Sequence, residues 1–409
     1  MKRTVVTAAV ATALLAMSAA QSAQYFWEPS AEVIAEGYTN RDLLPDNSKS
    51  SSSSYGITAG GLLGIATPRS TTSIAPAARY QKYPDRNDAS DLEGGVEFLS
   101  GFRTQRSRFE VSGSLQRRDV YNAELANPRF SDLNPSDPTA PTTGRIQGVG
   151  ETRDAFIVRP RYSHAFTERF DLAVQAGYEK YKYSSDVVTA LRDYDYWTAG
   201  LYPSWALSRR TSLTGSIYAG RYAITDDSIK TDTTGASIGI KRELAQTFTF
   251  EISAVVERTQ TDRLLQLSPA GAARFTESDS SVGGRFSLYR KGQVSDARID
   301  ISHLVSPTGA GGLYETDMAQ LQYDRRLSPR LTLRSAAIYY STSAVSAFDA
   351  AGESDYINAE LSLRWNVTPA WYVFGGYRYV SQDDNGANGS VDNHTAFAGL
   401  GYKALSRRQ

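Results

Sequence analysis

The chain has no cysteine, three histidines, three methionines and only nine lysines among its 409 residues. The absence of Cys excludes a disulfide framework, a thiol nucleophile and thiolate metal ligation. A surplus of one charge sign is also missing, because 44 Lys and Arg stand against 44 Asp and Glu. A nucleic-acid binder should carry a basic excess, so no nucleic-acid partner is expected. Mean hydropathy is −0.40, and beyond the N-terminal segment no apolar run approaches the ~20 residues of a membrane-spanning helix.

The one apolar run opens the chain. Lys2 and Arg3 precede Val5 to Met17, and small residues follow from Ser18 to Ala23. A charged start, a short apolar core and a small-residue exit read as a secretory signal peptide over residues 1–23, cleaved near 20–23. No Cys follows it, so no lipid anchor is expected. Loss of Lys2 and Arg3 leaves 42 basic and 44 acidic residues, a mature charge of −2. Residues 24–409 are expected to form one domain. Export without disulfides fits a bacterial envelope protein.

What the mature region does contain is alternation. Phe109, Val111 and Leu115 face one way, and Arg108, Glu110, Ser112 and Ser114 the other. Ile357, Ala359, Leu361, Leu363, Trp365 and Val367 alternate with Asn358, Glu360, Ser362, Arg364 and Asn366. Phe170, Leu172, Val174, Ala176 and Tyr178 repeat the pattern. A period of two is the mark of strands with one apolar face. Short turns at Pro68–Ser70, Gln105–Ser107, Glu168–Arg169, Arg209–Arg210, Ala245–Thr247, Gln293–Ser295, Pro329–Arg330 and Pro369–Ala370 punctuate the strands. Longer polar loops are expected at Asn40 to Ser53, Ala123 to Thr152, Arg263 to Thr276 and Asp383 to Asp392.

Strands counted between these marks number about 18, each near the ~10 residues that cross a membrane plus an overhang. An even count with alternating short and long connections is the wiring of an all-β, antiparallel, up-and-down barrel of the bacterial outer membrane. A β-propeller would pack four short strands into each ~40–45-residue period, where this chain has two long ones. A sandwich would turn its apolar face inward and expose few aromatics. Trp197 and Trp205 share one apolar face eight residues apart, or roughly 26 Å at the usual rise. With strand tilt, that matches two aromatic girdles around an apolar band ~25 Å tall. An integral outer-membrane location follows.

Candidate chemistry is sparse. His164, His303 and His394 lie in distant hairpins without ligand spacing or a local carboxylate partner. His164 and His303 fall on the lipid-facing register near strand ends. Gly235-Ala236-Ser237-Ile238-Gly239 matches a nucleophile-elbow pattern, but that motif works only at a strained strand-to-helix turn. Here Ala236, Ile238 and Ile240 face lipid, and Ser237 and Lys241 face inward. The group Asp383, Asp384, Asn385, Asn388 and Asp392 lacks the third ligand of a calcium loop, because Ala387 occupies its place. No enzyme activity, metal or cofactor is expected.

The inward register carries the information. It places Glu32, Glu36, Arg79, Glu93, Glu97, Arg103, Arg108, Glu110, Arg159, Arg161, Glu179, Glu251, Arg285, Arg298, Asp300, Arg334, Glu360, Arg364 and Arg378 toward the lumen, with Tyr196, Tyr202, Tyr218, Tyr289 and Tyr372. Such a lining holds the wall together by Arg–carboxylate pairs, and offers fixed charges and rings to a polar, hydroxyl-rich solute. Arg outnumbers Lys 35 to 9, which favours bidentate and ring-stacking contacts over point charges.

The segments Phe26-Trp27-Glu28-Pro29 and Tyr38-Thr39-Asn40-Arg41-Asp42-Leu43-Leu44, with the closing Phe397-Ala398-Gly399-Leu400-Gly401-Tyr402, resemble the outer-membrane β-barrel porin 2 type family. That family includes EpsL-like barrel proteins of exopolysaccharide operons. The chain departs from it by ending in Ser406-Arg407-Arg408-Gln409 rather than a terminal aromatic. The resemblance implies an outer-membrane conduit in exopolysaccharide export, working with periplasmic polysaccharide-export proteins. The alternative is a general or sugar-selective diffusion porin. Either would sit among outer-membrane lipid and lipopolysaccharide, be inserted by the barrel-assembly machinery, and pass a polysaccharide or a small polar solute.

A barrel of about 18 strands encloses a water-filled lumen that something should narrow. The longest loop, Ala123 to Thr152, is stiffened by Pro128, Pro135, Pro138 and Pro141. It carries Arg129, Asp132, Asp137 and Arg145 as candidate constriction residues. Replacing residues 123–152 with a short Gly-Ser turn should raise single-channel conductance severalfold in planar bilayers. Unchanged conductance would place the constriction elsewhere.

Overall fold

The structure, a computed structural model, describes residues 23–44, 49–85, 89–120, 152–184, 191–226, 228–268, 271–307, 313–344, 353–384 and 389–404. Eighteen strands follow one another: β1(Gln24–Tyr38), β2(Ser52–Ala66), β3(Ser70–Tyr83), β4(Ala89–Arg103), β5(Ser107–Asp119), β6(Thr152–Ala165), β7(Phe170–Ser184), β8(Tyr194–Ser208) and β9(Thr211–Ile224) in the first half. The second half holds β10(Ile229–Ala245), β11(Phe248–Ser268), β12(Gly271–Lys291), β13(Ser295–Pro307), β14(Leu313–Arg326), β15(Leu331–Ala344), β16(Ser354–Asn366), β17(Trp371–Asp384) and β18(Gly389–Lys403). Each pairs antiparallel with the next, and β1 pairs with β18 to close the barrel.

Closure leaves no edge strand, which is the condition for crossing hydrocarbon with β-structure. The register separates two faces. Trp27, Val33, Ile57, Leu115, Trp197, Trp205, Ile238, Leu361 and Trp365 are exposed on the outside, while the residues between them are covered. An apolar face exposed on all sides belongs in lipid.

The short turns have a shared local cause. In six of the eight, a hydroxyl accepts a backbone N–H two or three residues on, as Thr67 does from Ser70, Thr104 from Ser107, Thr167 from Phe170, Ser208 from Arg210, Ser328 from Leu331 and Thr368 from Trp371. This side-chain turn replaces a backbone partner and stops the ladder. All eight expected short turns fall between strands. They lie at the end where β1 starts and β18 stops, the periplasmic side of such barrels.

Two expected loops differ. Arg263 to Thr276 is mostly strand, since β11 and β12 pair up to Ser268↔Gly271. Leu264 and Leu265 are consecutive, as are Ala272 and Ala273, so the period of two is lost while backbone pairing continues. Asp383 to Asp392 is likewise shortened by β17 and β18. Two of the histidines expected to lack a carboxylate also have one. His303 Nδ1 stands 2.7 Å from Asp317 on the neighbouring strand, and His394 Nε2 3.1 Å from Asp392. Strand register, invisible to local spacing, brings Asp317 opposite His303. His303 keeps the outward phase of β13 and stands in the last row paired with β12.

The lumen side of the β17–β18 pair depends on glycine. A Cβ on Gly401 would lie 2.1 Å from Tyr372 Cζ, and one on Gly399 2.4 Å from Phe374 Cζ. The rings lie across the bare backbone of the partner strand, an aromatic covering of strand glycine. Gly401→Val should therefore lower the temperature at which the compact electrophoretic form converts to the extended one, at a cost of ~1–3 kcal/mol from forced repacking. Gly37→Ala, where a Cβ meets nothing within 4 Å, should leave it unchanged.

Candidate functional site

Strand register places all of the expected inward residues opposite the exposed apolar ones, and many meet in pairs. Glu36, buried, accepts from Tyr38 at 2.8 Å, Gln81 at 2.9 Å and Arg79 at 3.1 Å. Arg159 reaches Glu179 at 2.7 Å, and Arg378 reaches Glu360 at 2.9 Å. Asp300 takes Arg298 at 2.7 Å and Arg285 at 2.9 Å. Arg108 pairs with Glu110. Arg364 lies 3.5 Å over the Tyr372 ring, whose hydroxyl donates to Glu32 at 3.2 Å. Arg161 bonds Gln175 at 3.1 Å and lies 5.5 Å over Tyr202.

Others stay apart. Arg103 reaches only the Pro68 carbonyl at 3.4 Å, and Glu93 accepts the Asp119 N–H at 3.1 Å. Among the described residues Glu97, Glu251 and Arg334 make no hydrogen bond or ion pair, and Tyr289 is exposed. Tyr196 packs beside a cluster of buried rings. The 123–152 loop, with Arg129, Asp132, Asp137 and Arg145, lies outside the described residues.

Two other segments enter the lumen. The first is the turn after β1. Asn40 clips it, its side chain accepting the Leu44 N–H at 3.0 Å and donating to the Leu44 carbonyl at 2.8 Å. Its own N–H donates to Asn393 on β18 at 2.9 Å. Arg41 is 3% exposed; it donates to the Tyr83 hydroxyl at 2.9 Å and lies 4.3 Å over that ring. Asp42, Asp91 and Asp119 surround its guanidinium at 3.2, 3.5 and 3.7 Å. Leu43 packs on the opposite side, against Met318, Ile338, Tyr340, Tyr356 and Val380 of β14–β17. Its φ of +49° is left-handed, a strain of roughly 1–2 kcal/mol for a residue with a Cβ. The segment thus ties together the two wall sectors flanking β1.

The second is the upper end of β13. Its pairing with β12 stops at Gly284↔His303. A Cβ on the lumen side of Gly283 would lie 2.2 Å from the His303 carbonyl, so β13 crosses inside β12 where a side chain is missing. Beyond the crossing, the Val305 N–H donates to Glu257 on β11 at 3.2 Å, and Glu257 also accepts from Tyr218. The Val305 side chain packs on the cluster of Tyr181, Tyr194 and Tyr222, where Tyr181 and Tyr194 stack with centroids 4.7 Å apart. None of Arg41, Leu43, Gly283, Glu257 and Val305 was legible as a site residue. Glu257 continues the inward alternation of Glu251, Ser253 and Val255, and that signal could have found it.

No family model matches the chain, and no curated protein does. Solved structures of similar fold include Pseudomonas aeruginosa OccK2 (OpdF), at 10% identity and TM-score 0.45 over 93% of this chain and 98% of that one. Pseudomonas aeruginosa OccK1 (OpdK) aligns at 15% identity and TM-score 0.44 over 94% and 99%. Acinetobacter baumannii OccAB3 aligns at 11% and 0.42 over 93% and 99%. The closed 18-strand barrel and its lipid-facing apolar surface make this chain an integral protein of the bacterial outer membrane.

Removing Arg41 leaves the Asp91, Asp119 and Tyr83 partners without their cation, and losing one member of a buried ion cluster costs ~3–5 kcal/mol. The double variant Arg41→Ala, Leu43→Ala should detach the segment and raise single-channel conductance severalfold, with the heat-modifiable barrel intact. Wild-type conductance in a folded double variant would rule out this segment as the constriction.

Proposed function

We propose that the chain is a passive diffusion channel for small, polar, hydroxyl-bearing solutes. The observation that carries this reading is the Asn40–Leu44 segment held inside the lumen by Arg41 on one side and Leu43 on the other. A strap anchored by a buried ion cluster suits sieving of small molecules better than threading of a polymer. The lining supports the same reading. Its carboxylates are largely met by guanidiniums, so the field along the wall is short-ranged, and Tyr hydroxyls and stacked Arg planes remain to bond neutral solutes.

The exopolysaccharide-export reading rests on the resemblance of segments that include Tyr38 to Leu44 itself, and no family model matches the chain. In this reading those residues serve as the sieve. Export of a polymer would require the strap to leave the lumen entirely.

Liposomes loaded with the purified protein should swell quickly in monosaccharides and several times more slowly in trisaccharides, and not in dextran. Deleting the gene should leave surface polysaccharide unchanged. Loss of surface polysaccharide, together with no size dependence of swelling, would replace this reading with export.

A further inference from the structure

The outer face of the wall is not uniformly convex. Across β7 to β12 it dips into a hollow of about 860 Å³ whose outward side chains include Val174, Leu201, Ile217, Ala236, Val256 and Val282. Val282 is 75% exposed and Ile217 64%, among the highest values of any large apolar side chain. The floor is recessed because Ala199, Ala219 and Ala236 stand where bulkier residues occupy neighbouring rows. Just above it, the Tyr178 and Trp197 rings pack at a tilt with centroids 4.1 Å apart, marking the outer aromatic girdle.

One charged side chain lines this hollow from outside. Arg258 is exposed and faces outward, opposite Thr234 on β10 and Ser280 on β12. It stands about as far from the periplasmic end of β11 as Trp197 does from that of β8, so it lies at the outer membrane boundary. The nearest outward carboxylate, Asp232, one row above, is already engaged: Arg221 holds one oxygen at 2.6 Å and the other at 2.9 Å. Among the described residues Arg258 has no hydrogen-bond or ion-pair partner. An unpaired guanidinium at the lip of an apolar hollow, at headgroup depth, complements an anionic head on an apolar tail.

We propose that this hollow is a specific site for an acylated, phosphorylated glucosamine lipid of the outer leaflet, the lipid A class. A phosphate bonds Arg258, and an acyl chain fills the groove between the Leu201–Ile217 and Val256–Val282 rows. A second barrel is the poorer occupant. An isologous contact through this face would set hollow against hollow, leaving the space unfilled and Arg258 without an acid.

The inference depends on the membrane location and not on the channel reading, so conductance provides an independent control. Full-length protein purified from outer membranes, exchanged into mild detergent and weighed by native mass spectrometry should retain one lipid A per barrel. Added lipid A should displace phosphatidylethanolamine from it. Arg258→Ala should weaken lipid A retention at least tenfold, and Arg258→Lys should restore part of it. Ala236→Trp should abolish retention by filling the groove. All three variants should keep wild-type conductance and heat-modifiable migration, which excludes misfolding as the cause. Equal retention of phosphatidylethanolamine, or loss with Ala236→Trp but none with Arg258→Ala, would reduce the site to ordinary annular lipid and overturn the proposal. A wild-type oligomer that Ala236→Trp dissociates would overturn it in favour of a second copy.

Discussion

Inside hydrocarbon no water is available to a backbone N–H or C=O, and an unpaired group there costs several kcal/mol. The β1–β18 ladder from Ser30↔Lys403 to Tyr38↔Thr395 removes the last unpaired edge, and the other features of the molecule depend on that closure. A closed sheet has only two faces and a side-chain period of two. Once the outer face is given to lipid, every second residue of eighteen strands must point into an enclosed space. That space has to be filled, charged or watered. The Arg–carboxylate pairs on Glu36, Glu179, Asp300 and Glu360 are the consequence. They are charges that closure has placed within reach of one another across neighbouring strands or, for Glu36 and Arg79, across β2.

Closure also limits how the lumen can be narrowed. A wall of paired ladders cannot bend freely, so an inward element must give up pairing on at least one side. The turn after β1 leaves at a strand end, with Asn40 replacing lost backbone partners by its own amide. The upper part of β13 parts from β12 while staying paired with β14, and only because Gly283 has no side chain in its path. Each departure is secured by a charged group satisfied from more than one strand. Arg41 is held from β3, β4 and β5, and Glu257 from β9 and β13. The left-handed backbone at Leu43 is maintained against its strain by these contacts together with the apolar contacts of its side chain.

The barrel was legible because membrane crossing enforces alternation that needs no tertiary information. On β8, Trp197, Leu201 and Trp205 face out, and Tyr196 and Tyr202 face in, as their spacing alone requires. Legibility ended where that enforcement ends. The upper part of the β11–β12 hairpin has consecutive apolar residues at Leu264–Leu265 and Ala272–Ala273 instead of alternation and reads as a loop, although its ladder runs on past Thr261↔Glu277. Arg41 and Leu43 lie in a turn with no period, so nothing local indicates that one binds β3–β5 and the other β14–β17. Family resemblance drew attention to the Tyr38–Leu44 segment, but not to what it touches. The His303–Asp317 pair was missed for a related reason, because partners 14 residues apart are joined by register rather than by spacing.

The asymmetry of the two inward elements bears on how the lumen responds to force. Val305 stays in the β13–β14 ladder opposite Glu315, and is held besides by its N–H bond to Glu257 and by packing on tyrosines that are themselves buried. It is an extension of a strand whose lower rows remain in the wall, so displacing it means bending β13. The Asn40–Leu44 turn has no ladder beneath it. Its position depends on Arg41, a charge that is stable in a covered site only while its carboxylates and the Tyr83 ring stay in place. Withdrawal of the turn would hydrate Arg41 and Asp119 together, and solvation of the ions would offset much of the lost pairing. The apolar anchor at Leu43 gains nothing comparable from water. Of the two attachments, the ionic one is the more readily exchanged for solvent, and the leucine contact with Ile338 and Tyr356 is the one that returns the strap to the wall.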